Sequence, residues 1–231
     1  MTCFEPPRGG GNAGRSIFFE FFDVFRLFLL YNSRRRSFEV VDNPVYKDLS
    51  ERDLAAYCRE RDRLAENELY RRYAARVLSL CRRYINDDEE AKDLMQESIV
   101  RAVGRIGTFT YKGTGSLASW LDRIAVNMSV DHIRRKRRMP VIEWDFWMHD
   151  DIPEPTGEEM AAVPEEKLLE WIDRLPDMQR SVFNLYCIDD YTHREIGEML
   201  GITEKGSASI LSKARKKLKE DIRRYQKEHG K

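Results

Sequence analysis

The run Thr192-His-Arg-Glu-Ile-Gly-Glu-Met-Leu-Gly-Ile-Thr-Glu-Lys-Gly-Ser-Ala-Ser-Ile-Leu-Ser-Lys-Ala-Arg-Lys-Lys-Leu218 carries its own punctuation. Thr192 and Glu195 have the spacing of a capping box, in which a hydroxyl accepts from the third amide of a helix and a carboxylate reaches back to the capping residue. Ile196, Met199 and Leu200 form an apolar side, and Gly197 is small where a second helix can cross closely. Gly201-Ile202-Thr203 turns the chain, and Thr203 caps a final helix with Ala208, Leu211, Ala214 and Leu218 inward. Helix, glycine-containing turn, helix is the helix-turn-helix unit. The final helix offers outward Lys205, Ser207, Ser209, Ser212, Lys213, Arg215, Lys216 and Lys217. Hydroxyls and cations on one helix face suit phosphates and base edges in a major groove. A solvated basic face is the plain alternative, and the place of this run on the second helix of the unit favours DNA.

Upstream, Leu168, Leu169, Trp171, Ile172 and Leu175 mark a short helix that Pro176 ends. Asp177 is positioned to cap the next, with Val182, Phe183, Leu185 and Tyr186 inward. This makes residues 164–231 one small helical domain. Before it, residues 139–163 hold seven acids and no Lys or Arg, with Pro140, Pro153, Pro155 and Gly157 among them, the composition of a flexible linker. The whole chain balances 40 basic against 40 acidic side chains, which hides the segregation. Residues 112–138 carry seven Lys/Arg against two Asp/Glu, and residues 201–231 carry ten against four. Two basic segments flanking an acidic one point to two phosphate-facing surfaces and a tether.

From residue 48 to residue 136 the pattern is helical and free of proline, and residues 47–138 read as a first domain. Leu64, Leu69, Tyr73, Val77 and Leu80 mark one amphipathic helix. Asp87 or Asp88 caps a second, through Ala91, Leu94, Met95 and Ile99. A breaker-rich connection from Gly104 to Gly115 contains Phe109 and Tyr111. Ser116 then caps a third helix with Leu117, Trp120, Leu121, Ile124, Ala125 and Met128 on its buried stripe. The opposite face carries Ser119, Arg123, Asn127, Asp131 and Arg134 and runs into Arg135-Lys-Arg-Arg138. Asn127 can read a base edge and Asp131 can accept from an exocyclic amine. Phe109 and Tyr111, open beside a loop and next to Lys112, offer faces on which unpaired bases stack, so this surface fits single-stranded DNA. Trp120 belongs to the core stripe.

Asp93, Gln96 and Glu97 form a polar ridge on the second helix. It reads as a protein-contact surface, with a solvated face as the alternative. A metal-dependent nuclease built on Asp93 and Glu97 is a third reading. It lacks a further acid or His at ligand spacing, a nucleophile motif and a Gly-rich phosphate loop, and the four histidines at 132, 149, 193 and 229 are scattered. No catalytic residue, metal or cofactor is therefore expected, nor a small-molecule substrate. Cys3, Cys58, Cys81 and Cys187 have no spacing that suggests a metal knuckle or redox pair, and Cys81 and Cys187 fit a core in a reducing compartment.

Taken in order, these residues resemble the extracytoplasmic-function sigma factors. The resemblance runs from about Leu54 to Tyr225. It rests on Leu69-Tyr-Arg-Arg-Tyr73, Ala91-Lys-Asp-Leu-Met-Gln-Glu97, Ser116-Leu-Ala-Ser-Trp-Leu121 through Asp131-His-Ile-Arg-Arg135, Leu175-Pro176, Thr192–Leu200, Gly201-Ile-Thr-Glu204 and Leu211–Leu218. It implies an all-α protein of two domains that binds core RNA polymerase and promoter DNA in the cytoplasm and is held in check by an anti-sigma factor. Asp93, Gln96 and Glu97 would dock on the clamp helices of the polymerase's largest subunit. The loop from Tyr111 to Gly115, with Asn127 and Asp131, would capture and melt the minus-ten element, and the final helix would read the minus-thirty-five element. The acidic linker would thread the RNA-exit path. A helix-turn-helix regulator acting without polymerase is the competing reading, and it leaves the first domain unexplained. Three features depart from the family pattern. Glu66 stands where a Phe is usual, Ala208 and Ile210 stand where Lys and Gln or Arg are common, and residues 1–46 have no counterpart.

Within those first residues, Ile17–Tyr31 is rich in Phe and Leu, but Glu20, Asp23 and Arg26 interrupt it. A membrane span needs about 20 mostly apolar residues. The expectation is an appended arm, or a start assigned too early, that is dispensable for activity, with no membrane contact except through an inhibitor.

Overall fold

A computed structural model describes residues 44–136 and 163–229, with side chains from residue 46. These residues form helices and turns and, among them, no strand. The acidic linker up to residue 162, Arg137 and Arg138, and residues 1–43 lie outside the described residues.

The first domain comprises α1 (Pro44–Lys47), α2 (Glu51–Arg59), α3 (Arg63–Tyr84), α4 (Asp88–Arg105, continued by a 3-10 turn, Ile106–Thr108) and α5 (Ser116–Lys136). Its helix starts reflect local chemistry. Ser50 Oγ accepts from Asp53 N at 3.1 Å, Asp62 Oδ1 from Leu64 N at 2.8 Å, and Asp87 Oδ1 from Glu90 N at 2.9 Å. Because Asp62 starts α3, Leu64 falls on its solvent side and is 46% exposed; the buried stripe begins instead at Ala65 and continues through Leu69, Tyr73, Val77, Leu80 and Cys81. Helices α3, α4 and α5 enclose a core with Met95, Leu117 and Leu121. Burial pushes the thiols of Cys58 and Cys81 up to about 12, so both remain neutral packing groups.

Polar contacts fix how these helices sit. Arg76 forks onto Asp122 of α5, with its Nη2 2.6 Å from Oδ2. His132 and Lys136 of α5 both meet Glu90 of α4. Glu68 is buried. Burial favours its protonated form, but hydrogen bonds from Arg71 and Arg72 outweigh that and hold the carboxyl below the usual glutamate range. Arg72 also donates to the carbonyls of Tyr46, Lys47 and Leu49, which ties α1 to the bundle.

The second domain comprises α6 (Glu165–Asp173), α7 (Asp177–Phe183, continued by a π turn, Asn184–Ile188), α8 (His193–Leu200) and α9 (Glu204–His229). Leu168, Trp171, Ile172, Leu175, Val182, Phe183 and Leu185 are buried as their spacing predicts. Asp177 does not cap α7. Pro176 holds the cap position, and Asp177 is the first helical residue, accepting from Arg180 at 2.8 Å. Tyr186 is half-buried and stacks on His193.

Arg180 joins the two domains. Its side chain is 1% exposed and donates to the carbonyls of Asp173 and Leu175 at the end of α6, and to that of Tyr84 at the end of α3, at 3.0, 3.3 and 3.2 Å. A cation amid helix C-terminal carbonyls is favourably placed against their dipoles. Beside it Asn184 Nδ2 donates to Arg83 O at 2.7 Å, Arg83 Nη2 lies 3.2 Å from Asp189 Oδ1, and the Tyr84 hydroxyl donates to Asp189.

Candidate nucleic-acid and protein interfaces

The helix-turn-helix forms as its residues dictate. Thr192 Oγ1 accepts from Glu195 N, Glu195 Oε2 accepts from Thr192 N at 2.8 Å, and Gly201 ends α8 in the left-handed region with φ +66°. Thr203 Oγ1 accepts from Gly206 N at 2.9 Å at the start of α9. A Cβ on Gly197 would lie 2.8 Å from the Ile202 carbonyl, so the close crossing is made to the turn backbone.

On α9 the buried stripe is Ser207, Ile210, Leu211, Ala214, Leu218 and Ile222. Two expectations change with that phase. Ser207, expected outward, is 0% exposed, with its hydroxyl 3.0 Å from His193 Nδ1. Ala208, expected inward, is half-buried, and Ile210 takes its place in the core. Lys205 and Lys217 are exposed, while Ser209, Ser212, Lys213, Arg215 and Lys216 are half-buried along the flank. Lys219, buried at 4% exposure, has no signal in the spacing because a basic run on a helix reads as outward throughout.

In the first domain Ser119, Arg123, Asn127, Arg134 and Arg135 are exposed on α5 and Asp131 is half-buried. Arg134 Nη2 holds Asp131 Oδ1 at 2.8 Å, and Arg134 Nη1 reaches the Met199 carbonyl of α8 at 3.5 Å. Tyr111 is 39% exposed and Lys112 lies beside it in the open. Phe109, expected open, is 4% exposed: the 3-10 turn folds it inward, and its ring centroid sits 5.5 Å from that of Trp120, itself half-buried. Phe109 is therefore a core residue under the loop and has no free face for a base. Nor is Ser116 the cap of α5. It is the first helical residue, its hydroxyl accepts from Lys112 N at 3.3 Å, and Glu51 of α2 takes the amides of Gly115 and Leu117.

On α4, Asp93, Gln96 and Glu97 are all exposed along one ridge, with Arg101 3.6 Å from Glu97. Val100 adjoins them at 71% exposure. The sequence gives no sign of Val100, because a valine directly after Ile99 reads as part of the same apolar stripe. Among the described residues no three His, Cys, Asp or Glu side chains gather as a metal site, and no helix is long and apolar enough to cross a membrane.

The family described as Sigma-70 region 2 matches residues 69–139, and Sigma-70 region 4 matches residues 165–218, one on each domain. The chain belongs to the sigma-70 family of sigma factors. Relatives it is similar to are named extracytoplasmic-function (ECF) sigma factors. It is 28% identical over 167 residues to the ECF RNA polymerase sigma factor SigW of Bacillus subtilis, covering 65% of this chain and 85% of that one. It is 29% identical over 159 residues to SigM of Mycobacterium tuberculosis, covering 68% and 76%. To the ECF RNA polymerase sigma-E factor of Haemophilus influenzae it is 25% identical over 186 residues, covering 76% and 97%. In this sigma factor α1 and α2 precede the region 2 match and yet make up one wall of that domain.

Proposed function

We propose that this sigma factor docks on core RNA polymerase through the exposed ridge of Asp93, Gln96 and Glu97, extended by Val100, and opens promoters with the face of α5. Transcription initiation at specific promoters is its function, without chemistry of its own. It acts in the cytoplasm, with an anti-sigma factor as the expected inhibitor. Tyr111, Lys112, Ser119, Arg123, Asn127, Asp131, Arg134 and Arg135 form the minus-ten surface. Lys205, Ser209, Ser212, Lys213 and Lys216 form the minus-thirty-five surface, with Arg215 at its edge, its Nε and Nη2 buried. The observation that carries the reading is the pairing of regions 2 and 4, in order, on two domains, with cations exposed at Arg123, Arg134 and Arg135 of α5 and at Lys205 and Lys217 of α9. A helix-turn-helix regulator without polymerase gives the first domain and its ridge no task.

The test is run-off transcription with core polymerase, with permanganate footprints of the bubble. Charge reversal at Asp93 and Glu97 is expected to weaken core binding about ten- to a hundredfold with helicity unchanged. Asn127→Ala is expected to shrink the bubble more than it weakens duplex binding. Transcription by neither the wild type nor any variant would leave the regulator reading standing, and unchanged core affinity in the reversal variant would remove the ridge as the dock.

A further inference from the structure

Both ends of the loop that carries Tyr111 are held by one helix, α2, which lies ahead of the matched region. At the exit end, Glu51 Oε2 accepts from Gly115 N at 2.9 Å and from Leu117 N at 3.1 Å. Its other oxygen accepts from the Tyr73 hydroxyl at 3.0 Å, which orients the carboxylate. At the entry end, Arg59 donates to the Ile106 carbonyl at 3.4 Å and to the Phe109 carbonyl. An anion thus sits on the N-terminal amides of α5 and a cation on the carbonyls where α4 and its 3-10 turn finish. Each is the sign that the helix dipole favours at that end. The two side chains stand eight residues apart on one rigid helix, about 12 Å along its axis. That helix is seated by buried Leu54, Ala55 and Cys58.

The segment between the anchors would be loose without them. Gly113 and Gly115 have φ +128° and +88°, values that other residues rarely adopt, and a Cβ on either would touch nothing within 4 Å. Packing at these glycines does not hold the loop; it rests on the two anchors and on a local turn, in which Ser116 N donates to Gly113 O at 3.1 Å and Lys112 N to Ser116 Oγ at 3.3 Å. A loop shaped before DNA arrives captures an unpaired base without the entropy cost of being ordered on contact.

We propose that Glu51 and Arg59 are positioning residues for promoter opening, which hold the loop so that Tyr111 meets the unpaired minus-ten strand. This rests on the reading of that loop as the single-strand surface. The test uses the full chain bound to core polymerase. It measures affinity for a fluorescent single-stranded oligonucleotide carrying the non-template minus-ten segment of a promoter mapped with the same polymerase. Glu51→Ala and Arg59→Ala are expected to lose about tenfold in single-strand affinity while core polymerase affinity stays within about twofold. Glu51→Gln keeps a neutral acceptor for both amides and is expected to recover most of the loss. Glu51→Asp keeps the charge but draws the oxygens back by one methylene, and is expected to recover little. If Tyr111→Ala loses affinity and Glu51→Ala and Arg59→Ala do not, the inference is overturned. If single-strand and polymerase affinities fall together in Glu51→Ala and Glu51→Gln alike, Glu51 is merely structural and the inference is again overturned. If Tyr111→Ala has no effect, the reading of the loop fails on its own.

Discussion

The two DNA-facing helices reach their positions by different means. The start of α9 is set by its immediate neighbours in sequence. The capping box of Thr192 and Glu195, the left-handed Gly201, the close approach at Gly197 and the Thr203 cap all lie within fifteen residues of one another. α5 is set from a distance. Glu51 caps it across 66 residues, Arg76 grips Asp122 across 46, and Glu90 receives His132 and Lys136 across 42 and 46. Sequence spacing records local devices and is blind to distant ones. The turn of the second domain is legible in its residues. The start of α5 is not: Ser116 is the nearest residue with cap chemistry, and no periodicity joins residue 51 to residue 117.

The strongest challenge to that contrast is the junction itself, where a long-range device acts on the locally built domain. Arg180→Ala removes the Arg180 donor from the buried carbonyls of Tyr84 and Leu175, and leaves that of Asp173 with Asn86 Nδ2 at 3.3 Å. The expected loss is about 3–4 kcal/mol, near the upper end for a single substitution. Chemical denaturation should show it, with limited proteolysis reporting separation of the domains. If stability falls by less than about 1 kcal/mol, the second domain depends on its local devices alone and the contrast between the helices sharpens.

Gly197→Ala tests the local side. The added methyl meets the Ile202 carbonyl at 2.8 Å, and backbone must shift to admit it. Overpacking of this kind costs about 1–3 kcal/mol. The loss should be confined to α8 and α9: hydrogen exchange there should quicken and duplex affinity fall, while exchange in α5 and core polymerase affinity stay as in the wild type. Faster exchange across both domains would mean that the turn is coupled to the junction and is not an independent unit.

Legibility divides along the same line. The all-α class and the core stripes at Leu117, Leu121, Ala125 and Met128, or at Leu211, Ala214 and Leu218, come from 3.6-residue periodicity, and the structure has them. The departures are of two kinds. Ser207 and Ala208 exchange roles because a serine-rich helix start leaves its phase open by one residue, and Ile210, the better guide to that phase, stands where the family pattern puts a polar side chain. Phe109 differs because loop composition carries no information about a ring folding back onto Trp120. Nothing in the sequence singles out Arg180: an Arg three residues after Asp177 reads as half of a surface ion pair, and its other partners are carbonyls, which no side-chain pattern reveals.

The smallest effect expected is a pH dependence within the locally built unit. His193 begins α8 with its ring stacked on Tyr186 at 4.3 Å and its Nδ1 3.0 Å from buried Ser207. Burial, followed by the nearby charge of Arg215, pushes its pKa below the ordinary 6.5, against a weaker opposite pull from Glu204. The folded state therefore favours neutral imidazole. Below pH 6.5 the unfolded chain takes up a proton that the folded chain resists. The stabilisation is complete above 6.5 and is lost as pH falls from there through the folded value. Thermal melting of the second domain should accordingly drop as pH is lowered from about 7.5 to about 5.5. His193→Gln keeps a planar polar group without the titration and should flatten that slope, with melting at the upper pH little changed. An equal slope in the two proteins would assign the dependence to groups other than His193 and would overturn this prediction.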